Sequence, residues 1–335
     1  MYKNDFDSLL KIYSPETPEY IQEFSSVPEF ERLKDVGMNC GLEYTSFPMF
    51  KNIIHYSRHQ HSLGVALITY HFTKKIEDTI SSLYHDIATP CFAHVIDFLK
   101  GDYQSQQATE ENTSAIISNS QRITELRKKY QLKVSDIDDC HQYPIADNEK
   151  PRLSADRLEY NLGNALQFGF AGLKEIKDIY DNLTITINEE GQPELSFSDL
   201  ETAEQFFVLS MKNSKVYVAD IDRYSMERLA RLLKQFIQDG VLSQNDLNLT
   251  EQAVITKIRL NEKAYKMWLS FRNISAISVS PYPIENGLKI SSKKRYVDPL
   301  IKNQGRLSVL SSSVKKEIDN FLANDFNYYI LETQN

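Results

Sequence analysis

Two histidines stand where the core would otherwise take an aliphatic side chain: His61 in RHQHSLGV and His85 in LYHDIA. Asp86 follows His85 directly, and Asp156 in LSADRLEY offers a further carboxylate from a later segment. Imidazole and carboxylate donors of this kind suit a divalent ion from the group Mn, Fe, Ni, Zn or Mg. The physical argument for an ion is one of cost. Carboxylates gathered inside a helical body without a cation repel each other and lose hydration, a penalty of several kcal/mol against a total stability of about 5–15 kcal/mol. A divalent ion removes that penalty. It would also polarise a phosphoryl oxygen and acidify a bound water, which supplies a nucleophile at neutral pH. Spacing alone leaves other readings open. An inward histidine on a helix is commonly a satisfied core residue, and an aspartate in a first turn can serve only the helix dipole, at about 0.3–1 kcal/mol.

The elements that must hold these residues can be read from periodicity. Val65, Ile68 and Phe72 follow His61 on one helical stripe, so His61 points inward. A second helical pattern runs through IEDTISSLYHDIA, and Thr89-Pro90 reads as N-cap and first position of a helix PCFAHVIDFLK. The stretch DDCHQYPIADNEKP has loop composition, and Ser154 is placed to cap the helix ADRLEYNLGNALQF with Asp156 in its first turn. The alternation in LTITINEEGQPELSFSD around a glycine predicts a hairpin. Helices resume at DLETAEQFFVLSMK, SMERLARLLKQFIQDG and LTEQAVITKIRLNEKAYKMWLSF; strand-like NISAISVS and GLKISSKKRYVDPLI follow, then a helix near VKKEIDNFLAN. The expected fold is mainly α, with a helical core over residues 1–180 and a smaller mixed α+β region over 181–335.

Composition narrows the class of partner. The chain has 335 residues, 41% hydrophobic and 25% charged, with a formal net charge of −8. Such a surface repels a polyanion, so no extended nucleic-acid surface is expected. A small phosphorylated substrate needs only a local cluster of cations. Cys40, Cys91 and Cys140 are far apart with no CxxC spacing, which suggests neither a disulfide framework nor a structural zinc site. No apolar run approaches the length of a membrane span and the N-terminal segment is polar, so a cytoplasmic location without membrane partners is expected. His55, His59, His71 and His141 carry no argument beyond proximity.

The ordered set of His61, His85-Asp86 and Asp156 resembles the HD-domain metal-dependent phosphohydrolase superfamily. The branch it looks most like contains the deoxynucleoside triphosphate triphosphohydrolases. The likeness starts at VPEFERLKDVG and GLEYTSFP and is strongest in RHQHSLGV, LYHDIATPCFAHVIDF and LSADRLEYNLGNAL. The resemblance implies that His61, His85, Asp86 and Asp156 bind the metal and that Arg58 and Arg157 hold substrate phosphate. It further implies a catalytic His94 oriented by Asp97, and sugar contacts from Tyr160 and from Asn164, which stands in place of an aspartate. Two departures weaken the triphosphohydrolase form: Thr89 and Thr109, the latter before Glu110, stand where that branch has histidines. The implied activity is hydrolysis of a nucleotide phosphoester or phosphoanhydride. The alternative is a degenerate HD protein that binds nucleotide as a sensor or regulatory module. Homo-oligomer contacts or an allosteric site in the C-terminal region are expected from the same resemblance.

Overall fold

The computed structural model describes residues 5–51, 53–100 and 112–333. The fold is mainly α, with two small sheets in the C-terminal part. Thr109 and Glu110 lie outside the described residues.

At the centre runs the helix Arg58–Thr73, buried on nearly all sides. Its start is fixed locally: Ser57 Oγ accepts from the Gln60 amide while the Gln60 side chain accepts from the Ser57 amide, a reciprocal capping box. Lys74, in the left-handed region at φ 57°, ends it. The helices Ile76–Tyr84 and Ala155–Gln167 pack along it. Ser154 caps the latter as the sequence predicts, accepting from the Arg157 amide at 3.2 Å.

The segment after Asp86 differs from expectation. The helix predicted to begin at Pro90 begins at Val95, because Phe92 (φ 59°) and Ala93 (φ 47°) lie in the left-handed region. Tertiary packing decides this. The Cys91 amide donates to the Leu247 carbonyl, and the Phe92 ring sits 6.0 Å from Tyr44 and 6.1 Å from Trp268 in a buried aromatic cluster. Thr89 is therefore not a helix cap.

The hairpin predicted near residues 183–198 forms from Leu183–Ile187 and Pro193–Phe197. It is extended by Leu300–Ile301, parallel to Pro193–Phe197, and then by Gly305–Arg306. The long helical pattern after residue 249 divides into Glu251–Arg259 and Glu262–Arg272, since Asn261 caps the second by accepting from the Ala264 amide at 3.0 Å. Of the second strand-like run Leu300–Ile301 forms a strand and Leu288 makes a single bridge to Ile330; residues 291–299 are irregular chain. Ile277–Ser280 pairs with Tyr329–Glu332. Among the described residues no helix is long and apolar enough to cross a membrane.

Candidate metal centre and active site

Donor atoms from two helices and one turn come together: those of His61, His85 and Asp86 lie within 4.8 Å of one another, and Asp156 Oδ1 stands against both imidazoles. His61 Nε2 lies 3.2 Å from His85 Nε2, 3.1 Å from Asp156 Oδ1 and 3.9 Å from Asp86 Oδ2. His85 Nε2 is 3.6 Å from each of the same two carboxylate oxygens. An ion bonded at about 2.1 Å to nitrogen and oxygen sets its neighbouring ligands roughly 3.0 Å apart in octahedral and about 3.4 Å apart in tetrahedral geometry. The observed separations of 3.1–3.9 Å enclose the tetrahedral value and begin just above the octahedral one, and the donor set has the chemistry a divalent ion requires.

Each imidazole is turned so that Nε2 faces this cluster. The Ser82 carbonyl can only accept, so His85 Nδ1 carries the hydrogen and donates to it at 2.7 Å. His61 Nδ1 donates to Glu159 Oε2 at 2.6 Å. Glu159 was missed by the sequence reading. It is 1% exposed and receives a second hydrogen bond from the Tyr56 hydroxyl. Two glycines make room for it. A Cβ on Gly64 would stand 2.6–2.9 Å from Glu159 side-chain atoms, and one on Gly163 would stand 2.3 Å from the Tyr56 hydroxyl oxygen. A sequence signal did exist: Glu159 is three residues after Asp156, on the same face of the same helix.

The electrostatics of the centre call for positive charge. Burial works against ionisation of Asp86, but Arg58 and the two histidines outweigh it and hold the carboxyl far below the usual range. Asp156 is held low in the same way by His61, His85 and Arg157. His61 is pushed up to about 10: burial opposes the proton, and the bonds to Asp156 and Glu159 overcome it.

Asp86 is fixed from both sides. Arg58 Nη1 donates to Oδ2 at 2.7 Å and Thr89 Oγ1 donates to Oδ1 at 2.8 Å. Arg32 Nη2 donates to the carbonyls of Ile87 (3.1 Å) and Thr89 (2.7 Å), which clamps the turn that carries Asp86. Thr89 thus holds a carboxylate where the sequence reading gave it a helix start.

The centre opens into a cavity of about 410 Å³ whose lining includes Arg58, His94, Arg157, Tyr160 and Asn164. His94 Nδ1 hydrogen-bonds Asp97 Oδ2 at 3.0 Å, with Asp97 fully buried. Burial, joined by repulsion from Arg295 and Arg58, lowers His94 to about 4 despite Asp97, so the imidazole is neutral at physiological pH. Arg157 borders the cavity with most of its guanidinium engaged: Nε donates to the Arg152 carbonyl, and Nη2 meets Asn148 and Asp147. It staples the loop 147–152. Asn164 donates to the Tyr217 hydroxyl at 2.7 Å, and the Tyr160 ring stands edge-on to Tyr217.

Lys150, Lys293 and Arg295 on the cavity wall were not singled out from sequence. Burial, then repulsion from Arg295 and Lys150, depresses Lys293 to about 8, and Lys150 is lowered by burial, Arg295 and Arg157. Cations crowded until they repel one another prepare a wall for an anion.

No family model matches the chain. A Bacillus subtilis protein described only as uncharacterized protein YdhJ is 27% identical over 247 residues, 73% of this chain and 74% of that protein. The metal-dependent phosphohydrolase cns2 of Cordyceps militaris is 22% identical over 261 residues, 72% of this chain and 70% of its own. Among solved structures, a phosphohydrolase from Bacteroides thetaiotaomicron superposes with a TM-score of 0.61 at 14% identity, covering 96% of this chain and 97% of that one. A hypothetical protein from Aquifex aeolicus gives 0.63 at 17% identity, covering 94% and 93%. These structural likenesses show a shared fold.

Proposed function

We propose that this protein is a divalent-metal phosphohydrolase that cleaves a phosphoester or phosphoanhydride in a small phosphorylated compound, with a nucleotide as the preferred class. The observation that carries the reading is the convergence of His61, His85, Asp86 and Asp156 beside a wall of mutually repelling cations in one cavity. The similarity to a named metal-dependent phosphohydrolase supports the same conclusion.

The four residues would hold an ion of the Mn, Fe, Ni, Zn or Mg group. When bound, such an ion supplies Lewis-acid polarisation of the phosphoryl group and activation of the attacking water. The chain's own side chains supply the rest. Arg58 balances Asp86 and borders the phosphate position; Lys150, Lys293 and Arg295 neutralise phosphate charge, which is most of what phosphoryl transfer requires. His94 is neutral at rest because it is buried and cations face it. A phosphate anion entering between those cations and the imidazole raises its basicity, so His94 takes up a proton, held in orientation by Asp97, and delivers it to the leaving oxygen. Tyr160 and Asn164 would contact the sugar. A deoxynucleoside triphosphate is the finer form of this reading, and a homo-oligomer its expected assembly.

The test is to purify the protein without chelator, measure bound metal by elemental analysis, and screen dNTPs, NTPs and monophosphates for phosphate, pyrophosphate or tripolyphosphate release. Asp86→Ala is the control. Co-purifying metal and a product that the variant does not make support the proposal, and the product names the subclass. Nucleotide binding without turnover would replace it by the regulatory reading, and absence of bound metal would remove its basis.

A further inference from the structure

A second group of ligating side chains borders the same cavity on the loop between residues 138 and 148. Cys140, His141 and Asp147 bring a thiol sulfur, an imidazole nitrogen and a carboxylate oxygen within 4.8 Å of one another. We propose that these three residues form a second cation site, selective for a zinc-class ion, distinct from the His61–Asp156 centre.

The arrangement is more than a chance cluster of polar groups, because two of its donors are already oriented. Asp139 Oδ1 meets His141 Nδ1 at 3.1 Å and also accepts from the His141 amide at 3.0 Å. That fixes the hydrogen on Nδ1 and leaves Nε2 as the lone-pair nitrogen, the same carboxylate–histidine device that Glu159 provides for His61. His141 Nε2 then lies 3.3 Å from Asp147 Oδ2. The two oxygens of Asp147 are divided in their roles. Oδ1 accepts from the Asn148 amide (2.8 Å) and the Ser154 hydroxyl (3.1 Å), and Arg157 Nη2 stands 3.0 Å away. Oδ2 is the atom turned toward His141.

Bonds of about 2.3 Å to sulfur and 2.0 Å to nitrogen set tetrahedral neighbours roughly 3.5 Å apart, so the group closes on an ion with a movement of about 1 Å. His141 is exposed, which makes that movement inexpensive. The thiol sets the selectivity: sulfur favours zinc-class ions over magnesium or calcium. Three protein donors leave a fourth position, as in an open site rather than a closed structural one. All three residues line the cavity, so that position is available to an anionic part of whatever the cavity binds.

The proposal stands independently of the hydrolase reading, because metal binding is measured without turnover. Metal-stripped full-length protein is titrated with Co(II) as a spectroscopic substitute for zinc. The first centre contains no sulfur, so an intense thiolate-to-cobalt charge-transfer band reports the second site alone. We expect two equivalents of Co(II) and one such band. Cys140→Ser should abolish the band and leave one equivalent; His141→Ala should weaken the band-bearing site by an order of magnitude or more. Asp86→Ala should lose the other equivalent and keep the band. A wild-type protein saturated with Co(II) that shows no thiolate band overturns the proposal, as does a band that survives in Cys140→Ser.

Discussion

Replacing Glu159 by glutamine tests the claim that the metal centre is held from behind as well as from the front. The change preserves shape but removes charge from the acceptor of the His61 Nδ1 hydrogen bond. A glutamine oxygen could still accept from His61. The amide nitrogen must then occupy the Oε1 position, where the carboxylate oxygen is buried with no partner, beside Gly64. An unsatisfied donor there costs about 1–3 kcal/mol. The reverse orientation sets a donor against His61 Nδ1–H. Neither is acceptable, and the His61 side chain is only 2% exposed, so water does not replace the lost acceptor. Loss of such an outer partner typically lowers metal affinity 10–100-fold, about 1.4–2.7 kcal/mol, and the dry surroundings place Glu159→Gln toward the upper end. The assay is competition for metal against a chelator of known affinity, with circular dichroism to verify folding. Gly64→Ala should act in the same direction, since its Cβ meets the Glu159 carboxylate. If Glu159→Gln binds metal within twofold of wild type, Glu159 does not orient His61 and the reasoning fails.

Other parts of the structure give further expectations. Asp86→Asn leaves the buried Arg58 without its counter-charge, and urea unfolding should show a loss of about 3–5 kcal/mol; an unchanged midpoint would show that Arg58 finds another partner. Thr89→Val keeps volume and deletes the hydrogen bond to Asp86 Oδ1, so stability should fall by about 1.5–3 kcal/mol in the same measurement. Glu43 is raised by burial and by repulsion from the buried Glu251, and Glu251 is raised by burial and by Asp35. The native state therefore binds more protons than the unfolded chain, and stability falls as pH rises from the ordinary carboxylate range toward the raised value. Glu43→Gln should flatten that decline, raising Tm relative to wild type at slightly alkaline pH and not below the ordinary carboxylate range. Parallel Tm–pH curves for the two proteins would count against the pair.

What could be read from the sequence follows the range of the forces involved. His61 is positioned by a helix whose stripe and capping box lie within sixteen residues, and Ser154 and Asp156 belong to a cap that spans three; local rules suffice for both. The helix predicted at Pro90 failed because long-range packing overrides local preference. Phe92 leaves helical geometry to join Tyr44 and Trp268, partners distant in the chain that no local rule names. The same physics reassigns Thr89. A threonine before proline is a good cap in isolation, yet a hydroxyl beside an ionised, buried carboxylate gains more from that bond than from a helix terminus, because charge-assisted bonds are the stronger kind. Lys293 and Arg295 are the hardest case. In sequence they lie within a strand-like run, and only irregular chain folding back against the first half of the molecule sets them on the cavity wall with Lys150 and Arg157. The gathering of His61, His85 and Asp86 was legible because a set of donors needs particular atoms at particular places along the chain. The cationic wall was not, because an anion needs only enough charge nearby, and many unrelated loops can supply it.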